Sequence, residues 1–322
     1  MSKATLAQLE AAANVVHQVF GPTPTYRWPL LCERTGCEVW VKHENYTPTG
    51  AFKIRGGLVF MNERMKRGVS GGVIAASTGN HGQSVTVAAR YFGIEVNIVV
   101  PRGNSVEKNA LMRAQGARLI ERGHDFQASF EFAEQIARER DLFMVPSFDT
   151  TLVQGVGTYG LELFRTTPEL DTVYVPVGLG SGVCGLISAR DALGVTASVV
   201  GVVAEGAPCY KHSFDLGECV STNSANTMAA GVACRVPNAA ALETIVAGAD
   251  RIVTVNDDEI RAAIRAYFTD THNAVEGAGA VALAALIKER EVMKGKKVGL
   301  VLSGGNVDLR DFHDILGASI TP

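Results

Sequence analysis

The stretch Pro48-Thr49-Gly50-Ala51-Phe52-Lys53-Ile54-Arg55-Gly56-Gly57 places a lysine in a tight, largely apolar segment between glycines. A charged amine in such surroundings must lose its hydration, so lysine is a poor choice there unless a neutral, nucleophilic amine is needed. Schiff-base chemistry needs such an amine. A surface lysine at a helix start is the plainer interpretation, but Phe52 and the flanking glycines do not suggest a solvated face.

Composition restricts the class of protein. The 322 residues are 47% hydrophobic and 20% charged, and the formal charge is -3, as in an ordinary α/β enzyme. Lys and Arg are scattered rather than clustered, so we expect no nucleic-acid partner. There is no apolar run of transmembrane length and no signal-peptide pattern, so we expect a cytoplasmic protein without a membrane partner. The six cysteines have no paired CxxC spacing, and we predict no metal site.

The order of strand-like and helix-like segments predicts the fold class. Between residues 73 and 145, four strand-like segments alternate with three helix-like ones, the signature of a parallel sheet covered by helices. A second alternation starts after Pro146 and has too few strands unless the N-terminal stretch pairs with it. We therefore predict two parallel-type α/β domains: a small domain, residues 71-146, inserted into a large domain, residues 1-70 and 147-322.

Three later motifs fit the lysine segment: Ser77-Thr78-Gly79-Asn80-His81-Gly82, Gly178-Leu179-Gly180-Ser181-Gly182 and Ser303-Gly304-Gly305-Asn306. In this order and at these separations the four motifs resemble the pyridoxal-phosphate enzymes of fold type II, within them the serine/threonine dehydratase family. The resemblance runs from about Pro22 to the end of the chain. It implies a tryptophan synthase β-like architecture, a cofactor between the two domains and a homodimer, which is also the commonest oligomer in general.

The loop from Gly178 to Gly182 lies between a predicted strand and a predicted helix. Backbone N-H groups of such a glycine-rich turn can converge on a phosphate, to which the helix N-terminus adds partial positive charge and Ser181 a hydroxyl donor. A tight turn without a ligand would have the same pattern. The resemblance implies that Gly178, Leu179, Gly180, Ser181 and Gly182 bind the cofactor phosphate, although the family more often has an unbroken glycine run.

The resemblance also implies roles for the other motifs. Lys53 binds pyridoxal 5'-phosphate as a Schiff base and, once free, removes the α-proton of the substrate. Ser77, Thr78 and His81 hold the α-carboxylate of the substrate, and Asn80 contacts both the substrate and the ring hydroxyl of the cofactor. Helix capping is the plainer explanation of the Ser77-Gly82 pattern. The remaining cofactor-binding residues implied by the resemblance are Phe52, Gly231, Glu276 and Ser303.

Ser303 bears on the type of reaction. A carboxylate beside the pyridine nitrogen keeps it protonated, whereas a serine hydroxyl can only share a hydrogen bond with the neutral nitrogen. The ring is then a weaker electron sink, which suits β-elimination better than transamination. Ser303 could equally be a turn residue before two glycines.

The resulting hypothesis is a serine/threonine dehydratase, an ammonia-lyase acting on a small β-hydroxy amino acid. Serine racemase is one alternative, because Thr78 offers a hydroxyl for acid/base catalysis. A 3-hydroxyaspartate ammonia-lyase, or one for another hydroxy-amino acid, is a second, although no cation for a further carboxylate stands out in the sequence. A non-catalytic binding protein on the same fold is remote, because pure binding does not need the Lys53 amine.

Overall fold

The computed structural model describes residues 3-68, 71-167 and 169-317. The strands are β1 Thr25–Arg27, β2 Glu38–His43, β3 Val73–Ala76, β4 Val96–Val100, β5 Arg118–Glu121, β6 Phe143–Met144, β7 Thr172–Pro176, β8 Ser198–Ala204, β9 Arg251–Val255 and β10 Lys297–Leu302. The helices are α1 Leu6–Val16, α2 Pro29–Thr35, α3 Lys53–Lys66, α4 Asn80–Tyr91, α5 Val106–Ala114, α6 Phe126–Glu139, α7 Thr150–Thr166, α8 Ser181–Leu193, α9 Cys209–Leu216, α10 Ala239–Gly248, α11 Asp257–Thr271, α12 Gly277–Lys288, α13 Arg290–Met293 and α14 Leu309–Gly317.

The larger sheet has six strands in the order β1-β2-β10-β7-β8-β9. Only the edge pair β1 and β2 is antiparallel; the other neighbours run parallel. Strand β2 lies beside β10 with Glu38 opposite Lys297, so the N-terminal stretch does complete the sheet of the second alternation. Helices cover both faces, which explains why its central strands are almost continuously apolar.

The smaller sheet has four parallel strands in the order β5-β4-β3-β6, all from the first alternation. The chain thus leaves the larger sheet after α3, builds the smaller sheet and returns through α7. This is the α/β fold with parallel sheets that the sequence indicates. The domain boundaries at residues 70/71 and 146/147 stay a prediction.

Three helices begin earlier than their apolar periodicity indicates. The sequence pattern places their starts near residues 56, 84 and 183, whereas the helices begin at Lys53, Asn80 and Ser181. Glycines in each first turn weaken the helical signal, because glycine has low helix propensity. The consequence is that a predicted site residue opens each helix, where backbone N-H groups are free and the helix dipole is positive.

No helix in the described ranges is long and apolar enough to cross a membrane. The sequence pattern predicts no helix or strand between β8 and α11, whereas this segment contains α9, α10 and β9. Helix α10 packs behind the Gly178-Gly182 loop, where a Cβ on Gly180 would lie 2.7 Å from the Cβ of Ala241.

Candidate active site

A cavity lies where the N-terminal ends of α3, α4, α8 and α12 meet the loop after β10. Its lining residues are Phe52, Lys53, Asn80, Pro176, Gly178, Leu179, Gly180, Ser181, Gly182, Gly231, Glu276, Ala278 and Ser303. The structure therefore brings together all the residues assigned to cofactor binding from the sequence. Pro176 and Ala278 were not foreseen. The roles of these residues toward a cofactor stay predictions.

In the Gly178-Gly182 loop, carbonyl groups and N-H groups differ in whether they have hydrogen-bond partners. Two loop carbonyls accept hydrogen bonds from tyrosines: Leu179 from Tyr210 at 2.9 Å, and Gly182 from Tyr159 at 2.7 Å. The backbone N-H groups from Gly178 to Val183 have no hydrogen-bond partner within the described chain. Free donors at the start of a helix are suited to binding an anion, and the phosphate-binding role of this loop stays a prediction.

The loop also has the shape that a bound phosphate requires. Gly180 has a φ of 99°, a conformation that strongly favours glycine. A Cβ on Gly178 would lie 2.3 Å from the carbonyl oxygen of Gly231, so only glycine fits this close approach. The open backbone cradle therefore fits the phosphate of pyridoxal phosphate.

Lys53 is the first residue of α3, and its side chain lines the same cavity. Its Nζ atom donates no hydrogen bond in the part of the chain that the structure describes, and lies 5.2 Å from the centre of the Phe52 ring. Burial lowers the pKa of Lys53, and the charge of Glu276 partly opposes the effect. A lysine amine with a lowered pKa is more often neutral and therefore more nucleophilic.

A hydrogen-bonded chain of side chains closes the cavity opposite the loop. The amide nitrogen of Asn80 donates to Glu276 at 2.7 Å, and Asn306 donates to the amide oxygen of Asn80 at 2.8 Å. Asn306 also donates to the carbonyl of Thr49 at 2.8 Å. Burial raises the pKa of Glu276, while Lys108, Asn80 and Lys53 lower it. The amide orientation of Asn80 is thereby fixed, and its contact with a ring hydroxyl stays a prediction.

The residues predicted to hold the substrate form the turn before α4. The hydroxyl of Ser77 accepts hydrogen bonds from the N-H groups of Gly79 at 3.1 Å and Gly82 at 2.8 Å, so it shapes the turn. The N-H groups of Thr78, Asn80 and His81 have no partner in the described ranges and are available to an anion. Thr78 is exposed. Apart from Asn80, none of these residues lines the cavity around Lys53.

His81 is poorly suited to general base catalysis. Burial, followed by the charge of Lys53, lowers its pKa to about 3, and its Nε2 atom is buried without a hydrogen-bond partner in the described chain. A base this weak does not accept a proton near neutral pH. The backbone N-H of His81, which has no partner in the described ranges, is the group that could position an anion, and its contact with a substrate carboxylate stays a prediction.

Ser303 lies across from the lysine segment. Its carbonyl accepts the N-H of Phe52 at 3.0 Å, and the next residue, Gly304, forms a bridge with Ala51. Ser303 is buried and lines the cavity. A hydroxyl here can share a hydrogen bond but supplies no charge, as the sequence analysis assumed.

Three supporting residues escaped the sequence analysis. Tyr159 and Tyr210 hold the loop carbonyls, and Asn306 holds Asn80 and the lysine segment. Asn306 does belong to the Ser303-Asn306 motif, but it was given no role. No local pattern marks the two tyrosines, because their contacts join residues that are far apart in sequence.

Comparisons with known proteins agree with this geometry. Residues 16-304 match the family described as pyridoxal-phosphate dependent enzyme. The L-threonine ammonia-lyase of Thermotoga maritima is 34% identical over 317 residues, which are 98% of this chain and 79% of that protein. The catabolic L-threonine dehydratase TdcB of Escherichia coli K12 is 32% identical over 312 residues, 96% of this chain and 94% of that protein.

A similar solved structure is the processed form of threonine deaminase isoform 2 from Solanum lycopersicum. It superimposes with a TM-score of 0.91 at 26% identity, over 99% of this chain and 95% of that chain. The fold, the converging helix ends and the matched residues lead to one conclusion: the chain belongs to the family of pyridoxal-phosphate dependent enzymes.

Proposed function

We propose that the protein is a pyridoxal-phosphate dependent ammonia-lyase that eliminates water from a small β-hydroxy amino acid, L-threonine or L-serine. The observation that carries the proposal is the pairing, in one cavity, of the Lys53 amine with the free N-H groups of the Gly178-Gly182 loop. The names of the three similar proteins reported above, a threonine ammonia-lyase, a threonine dehydratase and a threonine deaminase, support it.

The residues that hold the cofactor surround this cavity. The loop from Gly178 to Gly182 binds the phosphate through backbone N-H groups, and Ser181 adds a hydroxyl donor. Phe52 and Gly231 supply apolar walls, and Lys53 supplies the amine that attaches the aldehyde. When bound, the cofactor withdraws electrons from the α-carbon of the amino acid and so acidifies its α-proton.

Lys53 takes that proton. Burial lowers the pKa of its amine, so a larger fraction of it is neutral and able to accept a proton than in an exposed lysine. Glu276 lies on the same wall and its charge raises the pKa of Lys53, so that the amine retains the basicity to hold the proton.

The substrate carboxylate lies at the N-terminus of α4. The free N-H groups of Thr78, Asn80 and His81 bind it, and Ser77 keeps the turn in the required shape. Ser303 would offer the bound ring a hydroxyl and no charge, which would make the ring a weaker electron sink and favour loss of the β-hydroxyl over transamination.

The balance of the reaction sets its assay. Loss of the α-proton and the β-hydroxyl gives water and an enamine, which takes up water again to give one 2-oxo acid and one ammonia. Purified protein with added cofactor would be given L-threonine, L-serine, D-serine and both diastereomers of 3-hydroxyaspartate, while oxo acid, ammonia and chirality are measured. We expect equal amounts of oxo acid and ammonia from L-threonine or L-serine.

The other outcomes discriminate the alternatives. If only a hydroxyaspartate gives oxo acid, the substrate would be a hydroxyaspartate and the reaction would still be the proposed elimination. Interconversion of serine enantiomers as fast as elimination would assign a racemase and give Thr78 an acid/base role. No product from any of these compounds would reject the proposal.

The same proposal includes a homodimer that acts in the cytoplasm on a small-molecule substrate, with the cofactor between the domains 71-146 and 1-70 plus 147-322. Its support is the resemblance of the four motifs and the position of the cavity between elements of both sheets. Sedimentation velocity would test the dimer, and limited proteolysis the boundaries.

A further inference from the structure

Helix α7 separates the two helices that carry the proposed cofactor anchors. On one side it packs against α3, which begins at Lys53; a Cβ on Gly155 would lie 2.4 Å from the carbonyl oxygen of Arg55. On the other side it packs against α8, which begins at Ser181; a Cβ on Gly185 would lie 2.8 Å from the backbone nitrogen of Gly157. Both contacts join backbone to backbone, so α7 leaves little freedom for either helix to shift.

Charged contacts fix α3 against α7. Arg55 is completely buried. Its guanidinium donates to Glu162 of α7 at 2.6 and 2.8 Å and to the hydroxyl of Thr158 at 3.0 Å. The same guanidinium donates to Glu44, just beyond β2, at 2.6 and 2.9 Å. A guanidinium held at a fork by two carboxylates has one orientation, and Arg55 is two residues from Lys53.

One turn of α7 also reaches the phosphate loop. Tyr159, next to Thr158, donates its hydroxyl to the carbonyl of Gly182 at 2.7 Å. Its ring meets the Phe52 ring edge to face, with centroids 6.3 Å apart. A Cβ on Gly182 would lie 3.7 Å from the same Phe52 ring. Tyr159 therefore contacts both the residue before Lys53 and the last residue of the loop.

We infer that the turn Thr158-Glu162 of α7 sets the separation between Lys53 and the Gly178-Gly182 loop, and that Arg55 and Tyr159 are positioning residues for two-point attachment of the cofactor. The inference rests on the proposed function, because it needs Lys53 and the loop to be the two anchors. Neither residue reacts. Arg55 acts by orienting α3, and Tyr159 acts by holding the loop against Phe52.

Two-point attachment gives a measurable signature. A ligand held at two points gains affinity from an effective concentration that depends on the spacing of the points. Pyridoxal 5'-phosphate can use the loop and Lys53, whereas pyridoxamine 5'-phosphate has no aldehyde and can use only the loop. Damage confined to the loop weakens both compounds equally, but a wrong spacing weakens only pyridoxal 5'-phosphate. The ratio of the two affinities thus reports spacing separately from stability.

The experiment measures both dissociation constants on cofactor-free protein by fluorescence quenching, for wild type, Tyr159→Phe and Arg55→Lys. We expect the preference for pyridoxal 5'-phosphate to fall about tenfold in each variant, since small misplacements of anchoring groups cost one to two orders of magnitude. Tyr174→Phe is the matched control for Tyr159→Phe, because Tyr174 is equally buried and donates to Glu289. Arg251→Lys is a partly exposed control for Arg55→Lys, because Arg251 also donates to a carboxylate, that of Glu289. Their melting temperatures should fall while their preference stays within about twofold of wild type.

The outcomes are separable. An unchanged preference in Tyr159→Phe, or an equal fall in the controls, would overturn the inference. If Arg55→Lys does not fold, Tyr159→Phe decides alone, because it removes only one hydroxyl. A wild-type protein without any preference for pyridoxal 5'-phosphate would instead contradict Lys53 as an anchor, and so the proposed function itself.

Discussion

Lys42 and Lys53 have lowered pKa values for the same reason, burial, but they differ in their partners. Lys42 ends in an ion pair with Glu162 at 2.6 Å and a hydrogen bond to the carbonyl of Thr23 at 2.7 Å. Lys53 donates to no atom within the described ranges. The difference indicates that the amine of Lys42 is engaged in structural contacts, whereas the amine of Lys53 is available to react.

The two surroundings also differ in charge balance. Around Lys42, the two carboxylates of Glu44 and Glu162 face the two cations of Lys42 and Arg55. Although burial opposes it, the pKa of Glu162 falls to about 2 because of Arg55 and Lys42. Among the described residues, Glu276 is the acid that affects the pKa of Lys53, and it forms no ion pair with Lys53. Burying a charge without an ion-pair partner costs free energy of folding, so Lys53 does not stabilise the folded protein.

The largest effect is expected at Lys53. Lys53→Ala removes the base that takes the α-proton, and we expect the turnover of L-threonine to fall by about 10² to 10⁴, the range typical of a positioned acid or base. The melting temperature of the cofactor-free protein should not fall, because the lost amine donates to no atom in the described ranges. Steady-state oxo acid production and thermal unfolding would be measured on the same preparation. Turnover within tenfold of wild type would remove Lys53 from the mechanism.

Lys42→Met should show the reverse phenotype. It leaves Glu162 with Arg55 and His17 as partners but takes away one buried cation, and breaking a buried pair typically costs about 3 kcal/mol of the free energy of unfolding. Turnover per folded molecule should stay within about twofold, since Lys42 does not line the cavity. Urea unfolding measures the loss, with the exposed Lys66→Met as control. If Lys42→Met is as stable as wild type but inactive, the assignment of a structural role to Lys42 and a chemical role to Lys53 would be wrong.

This distinction could be predicted only in part from the sequence. The apolar surroundings of Lys53 and its glycines mark it as unusual, and that signal is local. The pattern around Lys42 indicates only the end of a strand, Glu38 to Lys42, because its partner Glu162 lies 120 positions away. Periodicity does not encode such a contact.

For the fold and for the site alike, local features could be predicted from the sequence and contacts between distant residues could not. Alternating apolar segments predicted both sheets, and glycine motifs predicted the residues that line the cavity, because each signal lies within about ten consecutive residues. The tyrosines behind the loop, the Arg55 contacts and the chain from Glu276 to Asn306 depend on how distant elements pack. They became visible only when the elements were placed in space.

The smallest expected effect concerns the one acid that affects Lys53. Glu276→Gln keeps an oxygen that can accept from Asn80 but removes the negative charge that raises the pKa of Lys53. The pKa of Lys53 should therefore fall further, as expected for the loss of a nearby opposite charge. Attachment of pyridoxal 5'-phosphate to cofactor-free protein needs the neutral amine, so its rate rises as pH passes upward through this pKa. The midpoint should lie below the ordinary lysine value of 10.5 in wild type, and lower again in Glu276→Gln.

The exposed Glu291→Gln serves as control and should leave the midpoint unchanged. A midpoint that stays in place or rises in Glu276→Gln would mean that Lys53 has another charged partner, and its contrast with Lys42 would be one of degree rather than of kind.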